Sequence, residues 1–119
     1  MAYRVDISKR ALAEVDRELT WMRERSDLMA DKWYGELLAA LGSLEEMPNR
    51  CSIAVETHAF LIEIRQLLFG EGMLQHRIIF GASVDELSGE DVVPIYRVRG
   101  SSQRNLSGFE ILGEYDDDE

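Results

Sequence analysis

The chain has 119 residues and a formal net charge of −10, with 45% hydrophobic and 30% charged residues. That length suits one globular domain and leaves little room for two. The acidic total argues against tight non-specific binding of nucleic acid, because counterion release needs a cationic footprint, and the single cysteine, Cys51, excludes an intrachain disulfide.

The charge is unevenly spread. Residues 1–62 carry a net −3, residues 63–107 a net −1 and residues 108–119 a net −6. The chain therefore reads as one mildly acidic domain over 1–107 and an acidic tail over 108–119. A lone cysteine fits a reducing, cytoplasmic setting. The segment Met1–Ile7 is charged and alternating, without the apolar core of a signal peptide, and no run is long enough to cross a membrane. No membrane partner is expected.

Tyr3, Val5 and Ile7 alternate with Arg4 and Asp6, the period of a strand with one buried face. Ser8 stands where an N-cap would, and Lys9 and Arg10 oppose the helix dipole in the turn that follows. From Lys9 to about Arg25 the period becomes helical. Leu12, Val15, Leu19 and Met22 form the expected core stripe, while Glu14, Asp16, Arg17, Glu18, Arg23 and Glu24 take the other side. Trp21 lies off that stripe and reads as a flank of the core, or as an anchor for a partner.

Ser26 and Asp27 can cap a second helix, predicted from about Leu28 to Glu46 and ended by Pro48. Its stripe is Met29, Trp33, Leu37, Ala40, Leu41 and Leu44, widened by Tyr34 and Leu38. The short link between the helices makes an antiparallel hairpin, whose apolar faces are wide enough to lie on a sheet. Residues 49–59 form a loop. His58 within it reads as a solvated or packed side chain, and Cys51 has no second cysteine or histidine at metal spacing. No metal and no cofactor are expected.

Three strands follow: Ile62–Phe69, Gln75–Ala82 and Val92–Arg99. Gly70-Glu71-Gly72 turns between the first two. Ser83–Asp91 reads as a loosely ordered acidic loop. Pro94 removes one ladder donor, so that position should face solvent or an irregularity. Residues 103–112 read as a short turn or an extra edge segment. The expected class is α+β, in the order β-α-α-β-β-β, with a helical hairpin on one face of a small, mostly antiparallel sheet.

The stretch from Glu63 to Asn105 holds five arginines and no lysine. Arginine offers a permanently charged planar fork suited to phosphate and carboxylate. Strand parity puts Arg97 and Arg99 on one face with Tyr96 on the other, and places His76 opposite Arg77. The expected common-face set is Arg65, Arg77, Arg97 and Arg99. It supplies charge without an acid or base, so it reads first as a binding patch for phosphate or carboxylate. Strand arginines also commonly lie paired with acids on a solvated face, and Glu63 shares parity with Arg65.

Several short segments, in this order and spacing, make the chain resemble the RelE/ParE superfamily of bacterial toxins, also described as plasmid stabilisation proteins. They are Tyr3-Arg4-Val5-Asp6-Ile7-Ser8-Lys9-Arg10-Ala11, Glu63-Ile64-Arg65-Gln66-Leu67, His76-Arg77-Ile78-Ile79-Phe80 and Ile95-Tyr96-Arg97-Val98-Arg99. The similarity covers about residues 3–106 and is distributed rather than concentrated in one motif. It implies the toxin of a type II toxin-antitoxin system, growth-inhibitory and neutralised by a cognate antitoxin. It implies antitoxin contacts along the helical hairpin and the open sheet edge.

Two targets follow from that resemblance. One is DNA gyrase, bound and inhibited. The other is messenger RNA on the ribosome, cut by an endoribonuclease. One fold hosts both. Many members place a histidine directly after the arginine that matches Arg99, and this chain has Gly100 there. Cutting RNA through its 2′-hydroxyl needs a base, an acid and cations at the developing charge. Arg65, Arg77, Arg97 and Arg99 are the candidate cations, and His76 and Tyr96 the candidate acid and base. The acidic total, the lysine-free strands and Gly100 tilt the reading toward gyrase. A member that keeps only its antitoxin contact is the third alternative. The block Glu114–Glu119 reads as a solubilising tail, or as a phosphate mimic folded over the arginines.

Overall fold

The structure is a computed structural model that describes residues 3–46, 48, 51–54, 63–84 and 87–100. Ile62, His58, Arg104, the 103–112 segment and the acidic tail lie outside the described residues.

The first strand, β1 (Arg4–Ile7), leads into helix α1 (Lys9–Arg23), and a tight link leads to helix α2 (Asp27–Ser43). Both helix starts form as their sequences dictate. The Ser8 hydroxyl accepts from the Ala11 amide at 3.0 Å, and the Ser26 hydroxyl from the Met29 amide at 3.1 Å. No acid stands in the first turn of α1, so Lys9 and Arg10 do oppose the dipole; Asp27 opens α2 favourably. Each helix ends two to three residues before its expected end, α1 at Arg23 and α2 at Ser43. Carbonyls in the last turns are taken up by tighter bonds, such as Leu44 N–H to Leu41 at 3.1 Å.

The buried face of α1 is rotated from the expected stripe. Ala11, Glu14 and Met22 are buried, Val15 and Leu19 are half-buried, and Leu12 is 53% exposed. On α2, Ala30, Trp33 and Leu37 are buried as the spacing requires, whereas Tyr34 and Leu38 remain exposed. Trp21 is exposed too, with the Arg25 guanidinium 3.9 Å from its ring centroid.

Two-residue β2 (Ser52–Ile53) precedes β3 (Arg65–Phe69), β4 (His76–Phe80), two-residue β5 (Ser83–Val84) and the long β6 (Asp91–Gly100). The four principal strands lie in the order β1-β6-β4-β3, with β2 beyond β3 and β5 on β6. Among the described strands only the β1–β6 pair is parallel, so the sheet is mixed. The helices cover one face. Trp33, Leu37, Leu44 and Met22 meet Phe69, Ile78, Phe80, Val93, Ile95 and Val98 there. Burial of such apolar area is the main term holding the two layers together. Among the described residues no helix is long and apolar enough to cross a membrane.

Three connections have a clear physical cause. The expected loose acidic loop starts and ends as a paired hairpin, because Ser83 and Val84 bond opposite Val92 and Asp91. Pro94 is buried, not solvent-facing. It sits just past the register shift where the β4 ladder ends, so its missing donor falls at an irregularity; its carbonyl accepts from the Gly81 amide at 3.1 Å. Between β3 and β4, Gly70 has φ +85°, and a Cβ built on it would stand 2.5 Å from the Leu74 carbonyl oxygen. Gly70→Ala is therefore expected to cost about 1–3 kcal/mol. A urea midpoint that does not move would remove that assignment.

Candidate functional site

The arginine stretch folds into the centre of the sheet, and the register decides which side chains meet. Arg77 pairs with Arg99 across β4 and β6, and Ile79 with Arg97. Directly paired residues share a face. The next residue of β4, Phe80, pairs with Ile95, so β6 carries one extra residue, Tyr96, at that point. This bulge overturns the simple parity reading. Tyr96 packs with Ile79, Ile64 and Ala54 on the face away from the helices, and thus joins the arginines instead of opposing them.

Arg65 leaves the expected set. Its register partner is Phe80, a residue of the helix-side core, so it belongs to the other face. There its Nη2 lies 2.8 Å from a Glu63 carboxylate oxygen, and its Nη1 donates to the Cys51 carbonyl. Parity correctly separates His76 from Arg77. The His76 ring is buried among Trp33 and Phe69, 5.1 and 5.9 Å from their centroids. Its Nδ1 lies 2.8 Å from the Leu74 carbonyl oxygen and its Nε2 3.3 Å from a Glu18 carboxylate oxygen. Gly100 stands opposite His76 in register, so the position after Arg99 belongs to this helix-side cluster.

The structure therefore gathers Arg77, Tyr96, Arg97 and Arg99 on one face and removes Arg65 and His76 from it. Three of the four are buried, however, and Arg99 is half-buried. Arg77 is 5% exposed, Arg97 7% and Tyr96 7%. Arg77 donates to the Gln66 side-chain oxygen at 3.1 Å. Burying a guanidinium is tolerated only where its donors are met.

Arg97 shows how that is done. Its Nε and Nη2 lie 2.8 and 2.6 Å from Oε2 of Glu14, itself 8% exposed. The other carboxylate oxygen accepts from the Val98 amide at 2.9 Å. The reason lies in strand lengths. Four-residue β1 covers β6 only as far as Ile95, leaving the rest of that edge without a strand among the described residues. Helix α1 takes its place: the Ser8 hydroxyl donates to the Tyr96 carbonyl at 3.0 Å, and Glu14 supplies the acceptor for Val98. Buried backbone groups must be paired, and here a helix side chain does what a neighbouring carbonyl would.

Glu14 is thus the central residue that the periodicity misplaced. A signal was present: Ala11, Glu14, Glu18 and Met22 fall on one helical row, at spacings of three, four and four. Among the described residues no group of three His, Cys, Asp or Glu side chains is placed to hold a metal ion. A scan of protein-family models finds no match to the chain, and a search of curated proteins finds no similar sequence.

Proposed function

We propose that this chain is the toxin of a type II toxin-antitoxin pair, as the RelE/ParE resemblance implies. In this reading it arrests growth by binding a large protein target such as DNA gyrase, and a cognate antitoxin neutralises it. The strand-helix-helix-strand-strand-strand order, with the helices on one face of a mixed sheet, supports the family reading. The observation that carries the choice of mechanism is the burial of two of the three arginines on this face, Arg99 alone being half-buried. Arg97 is buried against Glu14 and Arg77 is buried beside Gln66, so both serve the fold before any substrate. His76, the residue best suited to proton transfer near neutrality, is packed on the opposite side of the sheet.

One observation favours the endoribonuclease reading. The bulge brings the Tyr96 phenol to the face of Arg77, Arg97 and Arg99, which would unite a proton-transfer group with cations. Induced expression in a bacterium separates the two, with primer extension on a reporter messenger RNA and a gyrase supercoiling assay. The expected result is growth arrest with intact messenger RNA and lost supercoiling. Codon-phased cuts that vanish in Tyr96→Phe and Arg99→Ala would establish the ribonuclease instead. A folded protein that leaves growth unaffected would refute toxicity and point to the member that keeps only its antitoxin contact.

A further inference from the structure

The acidic block at the end of the chain has no part in the proposed function, and the sheet register gives it a place to act. On the face away from the helices two rows run side by side across the sheet: Leu68, Arg77 and Arg99 in one, Gln66, Ile79 and Arg97 in the other. These rows hold three cations and no acid. Glu14 enters from α1 and is matched to Arg97, and Gln66, which accepts from Arg77, brings no charge. The two ends of the first row are its accessible part. Leu68 is 47% exposed and Arg99 is half-buried, with buried Arg77 between them. The row therefore presents an apolar contact and a guanidinium two strand spacings apart, about 10 Å.

Such a row suits an acidic segment that also carries apolar side chains, because a guanidinium fork takes a carboxylate. Residues 108–119 have that chemistry: six acids and no base, with Phe109, Ile111, Leu112 and Tyr115 among them. Position favours this segment over an acidic partner from solution. Strand β6 ends at Gly100, one residue past Arg99. The link of residues 101–109 spans up to about 30 Å when extended, well beyond the length of the row. A segment tethered so closely acts at an effective concentration in the mM range. A separate acidic protein must instead approach a chain of net charge −10, and like charges slow and weaken that encounter.

We propose that residues 108–119 dock on the Leu68–Arg99 row of their own molecule, with carboxylates at Arg99 and an apolar side chain on Leu68, and so compete with phosphate or carboxylate ligands for that guanidinium. The docking does not rest on the toxin reading; only its effect on growth does.

The test compares the full chain with a full-length variant carrying Glu110→Gln, Glu114→Gln, Asp116→Asn, Asp117→Asn, Asp118→Asn and Glu119→Gln. The backbone amide resonances of Leu68, Arg99 and Gly100 are expected to differ between the two, and that of Leu38, on the helical layer, to stay. Salt at about 1 M, where the screening length is about 3 Å, should move the parent's amides to the variant's positions. Tripolyphosphate, titrated as the competing anion, should bind the variant about tenfold more tightly. That gain should vanish when Arg99→Gln is added to both chains. Leu68→Ala, at an exposed position and without any change of charge, should by itself tighten tripolyphosphate binding to the parent about threefold. Unmoved amides overturn the proposal. So does a gain that survives Arg99→Gln together with unchanged binding in Leu68→Ala, which would mark the overall charge alone. Amide shifts that grow with protein concentration would overturn it in favour of a tail docked on a second copy. Growth inhibition is scored separately: a toxic chain with unmoved amides sinks only the docking, and a docked tail on a chain without toxicity sinks only the toxin reading.

Discussion

Glu14→Ala is expected to destabilise the fold by about 3–5 kcal/mol, the usual effect of stripping one partner from a buried ion pair. Three consequences add at this position. The Arg97 guanidinium keeps its charge and loses its 2.6 and 2.8 Å contacts. The Val98 amide loses its acceptor at an edge that no strand of the described residues covers. The α1 face that closes that edge loses its anchor. Glu14→Gln separates these effects, because an amide oxygen still accepts from Val98 while the charge is gone; its loss should be clearly smaller. Replacing both residues, as Glu14→Leu with Arg97→Met, should recover part of the loss, since a buried pair exchanged for apolar groups is often neutral. The cycle is read from urea unfolding midpoints with a common slope. If Glu14→Ala unfolds at the parent's midpoint, Arg97 is not held by Glu14 and returns as a candidate for ligand binding.

The same pair explains what the sequence could and could not convey. Features set by neighbours along the chain were legible. Ser8 and Ser26 cap helices because a hydroxyl reaches the amide three residues on. The β3–β4 turn is where two glycines allow positive φ. Trp33 and Leu37 face inward because helix spacing leaves them no other side. Long-range register was not legible. One extra residue at Tyr96 moves the phenol across the sheet, and no local pattern announces a bulge made by pairing with a distant strand. Glu14 looked solvated because a carboxylate normally is. It is buried because β1 stops four residues in, and its partner lies 83 positions away. Arg65 was assigned to the wrong face for a related reason. Parity ranks faces only once the register is known, and burial depends on what lies across the sheet.

Trp33 offers the second large effect. Trp33→Ala should cost about 3–5 kcal/mol, because it empties the largest fully buried side chain between α2 and the sheet. The loss would also remove the ring that holds Phe69 at 5.3 Å and His76 at 5.1 Å. Trp33→Phe should behave very differently. The indole Nε1 is enclosed and has no hydrogen-bond partner among the described residues. Leaving such a donor unpaired costs roughly 1–3 kcal/mol. Phenylalanine surrenders some buried area but also discards that orphan donor, so the two terms oppose and the net change should stay within about 1 kcal/mol. Chemical denaturation of the pair decides the point. If phenylalanine is as damaging as alanine, the N–H is satisfied in solution and its packing role is not the whole account. The pair also links stability to action. Phenylalanine keeps a ring beside Phe69 and His76, so under the toxin proposal growth inhibition should survive it, whereas alanine should abolish inhibition together with the fold.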